Sequence, residues 1–410
     1  MRAIIGILAA LAIVSCKNEV KQAVSMKDDV VILASDSLQG RDTGTPYELM
    51  AAEYISKRFE DIGLAPKGVN AYYQTFSFTP SNDPHKETSF DSIAGDGTIT
   101  GTNVVGYIDN QAATTVIIGA HYDHLGMGGE GSLFRGEEPA IHNGADDNAS
   151  GVAVMLNLAQ RIVDSTLTDN NFLFIAFSGE ELGLLGSNFF VKNPTVDMSK
   201  ATYMLNMDMV GRLNEENKLA VYGVGTSPVF SQTLFANNQG RFDITENQSG
   251  TGPSDFTSFY LADIPVLHFF TGQHEDYHKP SDDAELLNYD GMQKLSDFVF
   301  DIISDLSSQG DLAFRRTKNE SEEVPRFKVG LGVVPDYLYD GDGMRIDGVS
   351  EDRPAQRAGL MKGDIVTKLG DSTVTDMMSY MRALSSFEEG QKTVVVVTRD
   401  GKEITVQVEF

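Results

Sequence analysis

The sequence predicts an α/β protein, a mostly parallel sheet flanked by helices, followed by a smaller β-rich domain. Three observations carry this. The runs "TTVIIGA" (114–120), "NFLFIAFS" (171–178), "ATYMLNM" (201–207) and "DIPVLHFF" (263–270) are short and continuously apolar, as strands buried on both faces are. Amphipathic stretches alternate with them, the order that builds a parallel sheet covered by helices. At 307–325 the composition turns polar and charged, "SSQGDLAFRRTKNESEEVP", and β-rich runs follow.

Each element has its own signal. "YELMAAEYISKRFEDIG" spaces its apolar residues as a helix does and stops at Gly63. "ASGVAVMLNLAQRIVD" (149–164) reads as the helix after the first strand. "GEELGLLGSNFFVK" reads as helical after the second, and "NYDGMQKLSDFVFDIISDL" (288–306) as a closing amphipathic helix. This sets a large domain at 28–310, a linker at 311–325 and a small domain at 326–410. In the small domain, "TVVVVT" and "ITVQVEF" read as strands around one helix, "TDMMSYMRALSSF".

A chain of 410 residues suits two domains, and 41% hydrophobic with 22% charged residues describes an ordinary folded protein. The formal net charge of -27 excludes a basic stripe for nucleic acid and disfavours adsorption to anionic membranes. The start, "MRAIIGILAALAIVSC", has one basic residue, a short apolar core and small residues before Cys16. That is the shape of a secretory signal, too short to span a membrane. Its ending resembles the bacterial lipobox, and Cys16 is the only cysteine. The expectation is a signal over 1–16, acylation at Cys16 and a polar tether over 17–27. The chain would then be an exported bacterial lipoprotein, periplasm-facing or on the outer-membrane surface, and held to a membrane by lipid alone.

Polar residues gather where the strands end. His121, Tyr122 and Asp123 follow the first, Glu180 and Glu181 the second, Asp208 the third, and "HEDYHKPSD" with His278 the fourth. Between the first strand and its helix stands "HNGADDNASG", with Asp146, Asp147 and Asn148 side by side. In open α/β sheets this carboxyl edge is where ligands bind. Carboxylates 4 Å apart repel by roughly 4 kcal/mol per pair at an effective dielectric of 20. Divalent cations turn that repulsion into binding. His and carboxylate donors without thiolates suit zinc, with cobalt or manganese as substitutes. Two histidines and three or more carboxylates exceed one catalytic zinc, so two ions sharing a carboxylate is the better count.

"HYDHLG", "NGADDNASG", "SGEELGLLGS", "LNMDMVGR" and "YHKPSD" resemble, in order, the signatures of the co-catalytic di-zinc aminopeptidase family, which includes bacterial leucyl aminopeptidases and glutamate carboxypeptidase. The resemblance covers about 28–310 and implies a zinc-dependent exopeptidase fold. It implies that His121 and Asp208 hold one Zn2+, Glu181 and His278 a second, and that Asp147 bridges both, with a cis peptide after Asp147. Glu180 would be the general base, taking the proton of the attacking water. Asp123 would orient His121, and Asp146 would be a supporting residue. His124, His142, His268 and His274 match no ligand position and are expected to pack or to line the rim. The glycine-rich "GMGGEGS" is expected to be a flexible rim. Phe256 stands where many relatives carry histidine, which bears on pocket shape.

Residues 326–410 resemble a PDZ domain, on "VGLGVV", "DRPAQRAGLMKGDIVTKLGD" and "RDGKEITVQV". That implies a loop, Gly330, Leu331, Gly332 and Val333, able to receive the C-terminus of a peptide or protein that adds as a strand; a structural cap is the alternative. Together the expectation is a lipid-anchored zinc metallopeptidase, a hydrolase removing N-terminal amino acids from peptide substrates. Alternatives are a glutaminyl cyclase with one zinc, a carboxypeptidase served by Arg135 or Arg212, and a metal-free peptide receptor.

Overall fold

The computed structural model describes residues 24–80, 90–91, 97–129, 131–136, 138–317, 329–336, 338–339, 341–350 and 353–410. The signal and Cys16 lie outside the described residues, as do most of the tether and the later part of the linker.

The larger sheet has ten strands among the described residues. Its centre runs Asn170–Phe177, Thr114–His121, Ala201–Met207, Val266–Phe270, with parallel pairing throughout. Toward the edges the pairing turns antiparallel: Ile99–Ile108 on Asn170–Phe177, Tyr73–Phe78 beyond it, and Lys218–Tyr222 on Val266–Phe270. The sheet is thus parallel through its four central strands, as expected, and mixed beyond them. The strands Tyr73–Phe78 and Ile99–Ile108 pair antiparallel, and such pairing needs no helical crossover, so no alternation of strand and helix marks them.

Side chains alternate between two apolar layers. Val116, Ile118 and Ala120 face the helices Met26–Leu33, Pro46–Ile62, Gly151–Val163 and Tyr289–Leu306, while Ile117, Leu173 and Ile175 face the layer containing Phe190 and Phe259. Each fully buried valine, leucine, isoleucine or phenylalanine among them contributes roughly 1.5–3 kcal/mol. Helix Pro46–Ile62 starts on a Thr45 cap and ends at Gly63, in the left-handed region at φ 101°. Its buried Glu48 ties it to the sheet, accepting from Gly44 N, Thr102 N and Ser178 Oγ at 2.8, 2.9 and 2.6 Å.

Three expectations change. The large domain begins before 28, because Ser25 caps helix Met26–Leu33 and Met26 is buried, so the end of the expected tether is folded. It also runs past 310: Leu312 N donates to Thr202 Oγ1, Arg315 N to the Thr226 carbonyl, and Phe314 packs against Tyr260. Residues 311–317 are thus a strap on the large domain, not a free linker. Finally, "GEELGLLGSNFFVK" is helical only from Leu185 to Lys192. Gly179, Gly183 and Leu184 all have positive φ, and Glu180 and Glu181 therefore stand in a turn at the strand end.

The small domain is an antiparallel sheet, Val333–Pro335, Met344–Val349, Ile365–Leu369, Lys392–Arg399, Lys402–Glu409 in that order, with helices Pro354–Arg357 and Met377–Leu384. Its core includes Leu331, Ile346, Ala355, Leu360, Val366 and Val397. Strand Val333–Pro335 is the sheet's edge, and the loop before it is tied by Ala355 N to the Leu331 carbonyl and Ser350 N to the Gly332 carbonyl.

Candidate metal centre

In-register pairing of the central strands brings their ends together: His121 lies beside Phe177, and Phe269 beside Met207. His121 ends its strand, Asp208 stands one residue past Met207, and the other polar groups singled out above lie in the loops that follow their strands. His121 Nε2 is 3.3 Å from Asp147 Oδ1 and 3.3 Å from Asp208 Oδ1, with Glu180 Oε2 at 4.0 Å. His278 Nε2 is 3.2 Å from Asp147 Oδ2 and 3.3 Å from Glu181 Oε2. The two oxygens of Asp147 thus serve opposite sides. All five expected ligands and Glu180 come together.

The backbone carrying Asp147 is held from every direction. Asp282 accepts from Asp146 N and Asp147 N at 2.9 and 3.1 Å. Asn148 Nδ2 donates to the Met207 carbonyl, while its Oδ1 accepts from Gly151 N and Met209 N. The Asp147–Asn148 peptide is cis, as the resemblance implies. Gly144 has φ 56°, and a Cβ there would lie 2.2 Å from the Asp147 carbonyl and 2.6 Å from the His124 ring, so only glycine fits. Arg41, fully buried, donates to the carbonyls of Leu33, Tyr122, Asn143 and Gly144. Burial lowers its pKa to about 10 against the pull of Asp123 and Asp147, so it stays charged at neutral pH. Asp146 supports the loop by accepting from Gly211 N at 2.6 Å and pairing with His274 at 3.1 Å.

Electrostatics couple these groups. Burial would lower the His278 pKa, but hydrogen bonds to Asp147 and Glu181 push it up to about 11. His121 is likewise raised well above its usual range, burial being outweighed by Asp208, Glu180 and their neighbours. Glu181 is brought down to about 2: burial and Asp147 would raise it, but bonds from His124 and His278 prevail. Glu180 is driven well above the usual carboxyl range by burial first, with Asp208, Glu181 and Asp255 outweighing His121.

Donor set and spacing both fit metal. Ligands of one tetrahedral zinc, at bond lengths of about 2.0–2.1 Å, stand about 3.3 Å from each other. His121 with Asp147 and Asp208, and His278 with Asp147 and Glu181, show that spacing. His121, Asp147 and Asp208 form one group able to hold an ion, and His124, Asp147 and Glu181 form a second. Both imidazoles present Nε2 because Nδ1 meets a backbone carbonyl, Asp123 O at 3.2 Å and Gly131 O at 2.8 Å.

Several expectations change here. His121 Nδ1 meets the Asp123 carbonyl at 3.2 Å as well as the Asp123 carboxylate at 3.6 Å, and that carboxylate also accepts from Thr43 Oγ1 and Glu180 N. The glycine-rich rim is an anchor, since Gly131 fixes His278. His274 bonds Asp146, and His124 lies inside the cluster, its Nδ1 2.7 Å from Glu181 Oε1, rather than at a rim. His142 and His268 do pack, His142 against Phe134 and His268 stacked on Phe256 at 4.7 Å. Arg212 is paired with Asp276 at 2.7 Å, and Arg135 is exposed. Sequence reasoning missed Arg41, Asp255 and Asp282. Asp282 closes the "YHKPSD" motif, which is a signal; no local pattern marks Arg41.

Residues 103–303 match the profile of Peptidase family M28, and residues 310–410 that of the PDZ domain. The chain carries an M28 peptidase domain followed by a PDZ domain. Among relatives, it is 32% identical over 170 residues to the Alkaline phosphatase isozyme conversion protein of Escherichia coli (strain K12), covering 41% of this chain and 46% of that one. It is 34% identical over 194 residues to Aminopeptidase YwaD of Bacillus subtilis (strain 168), covering 45% and 39%. The chain spans about half the length of the curated relatives it matches. The fold is similar to that of a Zn-dependent exopeptidase from Parabacteroides distasonis, with TM-score 0.55, 18% identity and coverage of 68% of this chain and 96% of that one. It is also similar to that of Porphyromonas gingivalis glutaminyl cyclase, with TM-score 0.52, 18% identity and coverage of 68% and 97%.

At pH 7 both His121 and His278 carry a proton that a bound cation must displace. Ion affinity is therefore expected to fall as pH drops, by up to about tenfold per pH unit for each histidine displaced. Calorimetric zinc titrations in buffers of different ionisation enthalpy should register the released protons; an affinity indifferent to pH between 6 and 8 would contradict this charge assignment.

Proposed function

We propose that this chain is an exported, lipid-anchored peptidase that holds two zinc ions and removes N-terminal amino acids from peptides. One observation carries the reading: Asp147 divides its two oxygens between two histidine–carboxylate pairs, each with the spacing of ligands on one ion. His121, Asp147 and Asp208 would hold one zinc, and Asp147, Glu181 and His278 the other. Bound zinc supplies Lewis acidity, polarising a carbonyl and making water acidic near pH 7.

Glu180 is the group left over, ligating nothing yet lying 4.0 Å from His121 Nε2. It takes the proton of the attacking water and returns it to the leaving nitrogen. Asp123 holds the Glu180 backbone through Oδ1 at 3.2 Å, fixing the turn that aims Glu180 and Glu181 apart. The strongly acidic site suits a substrate ammonium, and Arg212 is already paired with Asp276; both favour N-terminal over C-terminal removal. In the PDZ domain, the edge strand after Gly330–Val333 is the place for a peptide to add as a strand, with its carboxylate at the loop.

The protein from Lys17 onward should contain about two zinc per chain and hydrolyse aminoacyl-nitroanilides. Glu180→Ala should lower kcat by about 10²-fold or more while keeping the metal. Two zinc without turnover on N-terminal substrates would move the reading toward carboxypeptidase. One zinc with cyclisation of N-terminal glutamine would favour a glutaminyl cyclase. No metal and no turnover would leave a peptide receptor.

Lipid anchoring rests on the "IVSC" ending at Cys16. No helix among the described residues is long and apolar enough to cross a membrane. Expressed from its own signal in a bacterial host, the protein should partition with membranes, and Cys16→Ala should shift it to the soluble fraction. A membrane association that survives the substitution would refute the anchor.

A further inference from the structure

His124 breaks the pattern set by the other two histidines of the centre. His121 and His278 each spend Nδ1 on a backbone carbonyl and turn Nε2 inward. His124 is reversed: Nδ1 points inward, 2.7 Å from Glu181 Oε1, and Nε2 is buried without a partner. The side chain is fully buried. Its ring lies against Gly144, where a side chain would overlap it, and edge-on to His278 at 5.7 Å.

The oxygens of Glu181 show what is gained. Oε1 meets His124, and Oε2 faces His278 at 3.3 Å, the ligand-to-ligand spacing found around Asp147. The His124–Glu181 distance of 2.7 Å is instead that of a charge-assisted hydrogen bond. His124 Nδ1 also stands 3.9 Å from Asp147 Oδ2, farther than the other donors stand from one another. His124, Asp147 and Glu181 nevertheless lie close enough to form a group able to hold an ion, so a ligand role is the rival assignment.

We infer that His124 is a positioning residue for the second metal site: its Nδ1–H donates to Glu181 Oε1 and holds the carboxylate so that Oε2 alone is presented to the ion. The inference rests on the two-zinc reading above. It divides Glu181 as that reading divides Asp147, except that one of its oxygens goes to the protein instead of to a second ion. Without the donor, Glu181 is free to turn or to engage with both oxygens. The second site should then weaken while the first, built from His121, Asp147 and Asp208, is spared. Asparagine can replace the donor, because its Nδ2 falls near the place of the histidine Nδ1.

The test is titration of Co2+ into the ion-free protein from Lys17 onward, following visible absorption, for the wild type, His124→Leu and His124→Asn. The wild type should bind two ions. His124→Leu should lose about 10–100-fold in affinity for the second ion only, and His124→Asn should recover most of it. The absorption of the second ion in His124→Asn should match the wild type, its donor set being unchanged. If His124→Leu does not fold, His124→Gln, whose amide reaches past the Nδ1 position, replaces it with the same expectation. Unchanged second-ion affinity in the donor-less variant would overturn the inference, leaving His124 structural. A second-ion spectrum in His124→Asn that has lost a nitrogen donor would overturn it in favour of ligation. A wild type that binds one ion would overturn the two-zinc reading itself and this inference with it.

Discussion

Repulsion among Asp147, Glu180, Glu181 and Asp208 is the constraint around which the rest of this domain is arranged. They share one strand edge with little water to screen them, and each pair at close range costs several kcal/mol. Positive charge must be brought to them, and the fold brings it at fixed points. His121 and His278 lie within 3.2–3.3 Å of the carboxylates they serve. Arg41 adds a buried guanidinium that is anchored on four carbonyls and feels the same carboxylates. Removing one partner from such a cluster leaves an uncompensated buried charge, the costliest defect a core can carry.

Position then depends on backbone rather than on side-chain packing. The 143–148 segment is pinned by Arg41, Asp282, Asn148 and the Gly144 turn, so Asp147 cannot swing away from the repulsion it suffers. Carbonyls of Asp123 and Gly131 fix the ring orientations of His121 and His278. The turn from Gly179 to Leu184 does the same for the two adjacent glutamates, sending one to either side. A centre held this way is preorganised, and binding cations costs it little rearrangement.

Much of this was legible in the sequence because strand ends and loops carry it. The four apolar runs locate the sheet, and the first polar residues after each are the residues that meet in space. Long-range support was not legible. Arg41 acts from over 100 residues before Asn143 and has no pattern of its own. The position of His124 in "HYDHLG" suggested packing, since nothing in its spacing tells which ring nitrogen faces inward. The helix expected from Glu180 onward failed because positive φ at Gly183 and Leu184 outweighs apolar spacing. The strap at 311–317 read as linker because its bonds are mostly backbone and hydroxyl contacts, which composition does not record.

The central claim is that Asp147 stands between two ions. Diffraction from zinc-soaked crystals, collected on both sides of the zinc absorption edge, tests it most directly. Two anomalous peaks should flank Asp147, one among His121 and Asp208, the other among Glu181 and His278. A single peak, or peaks elsewhere with His121 and His278 still bonded to their carboxylates, would contradict the account.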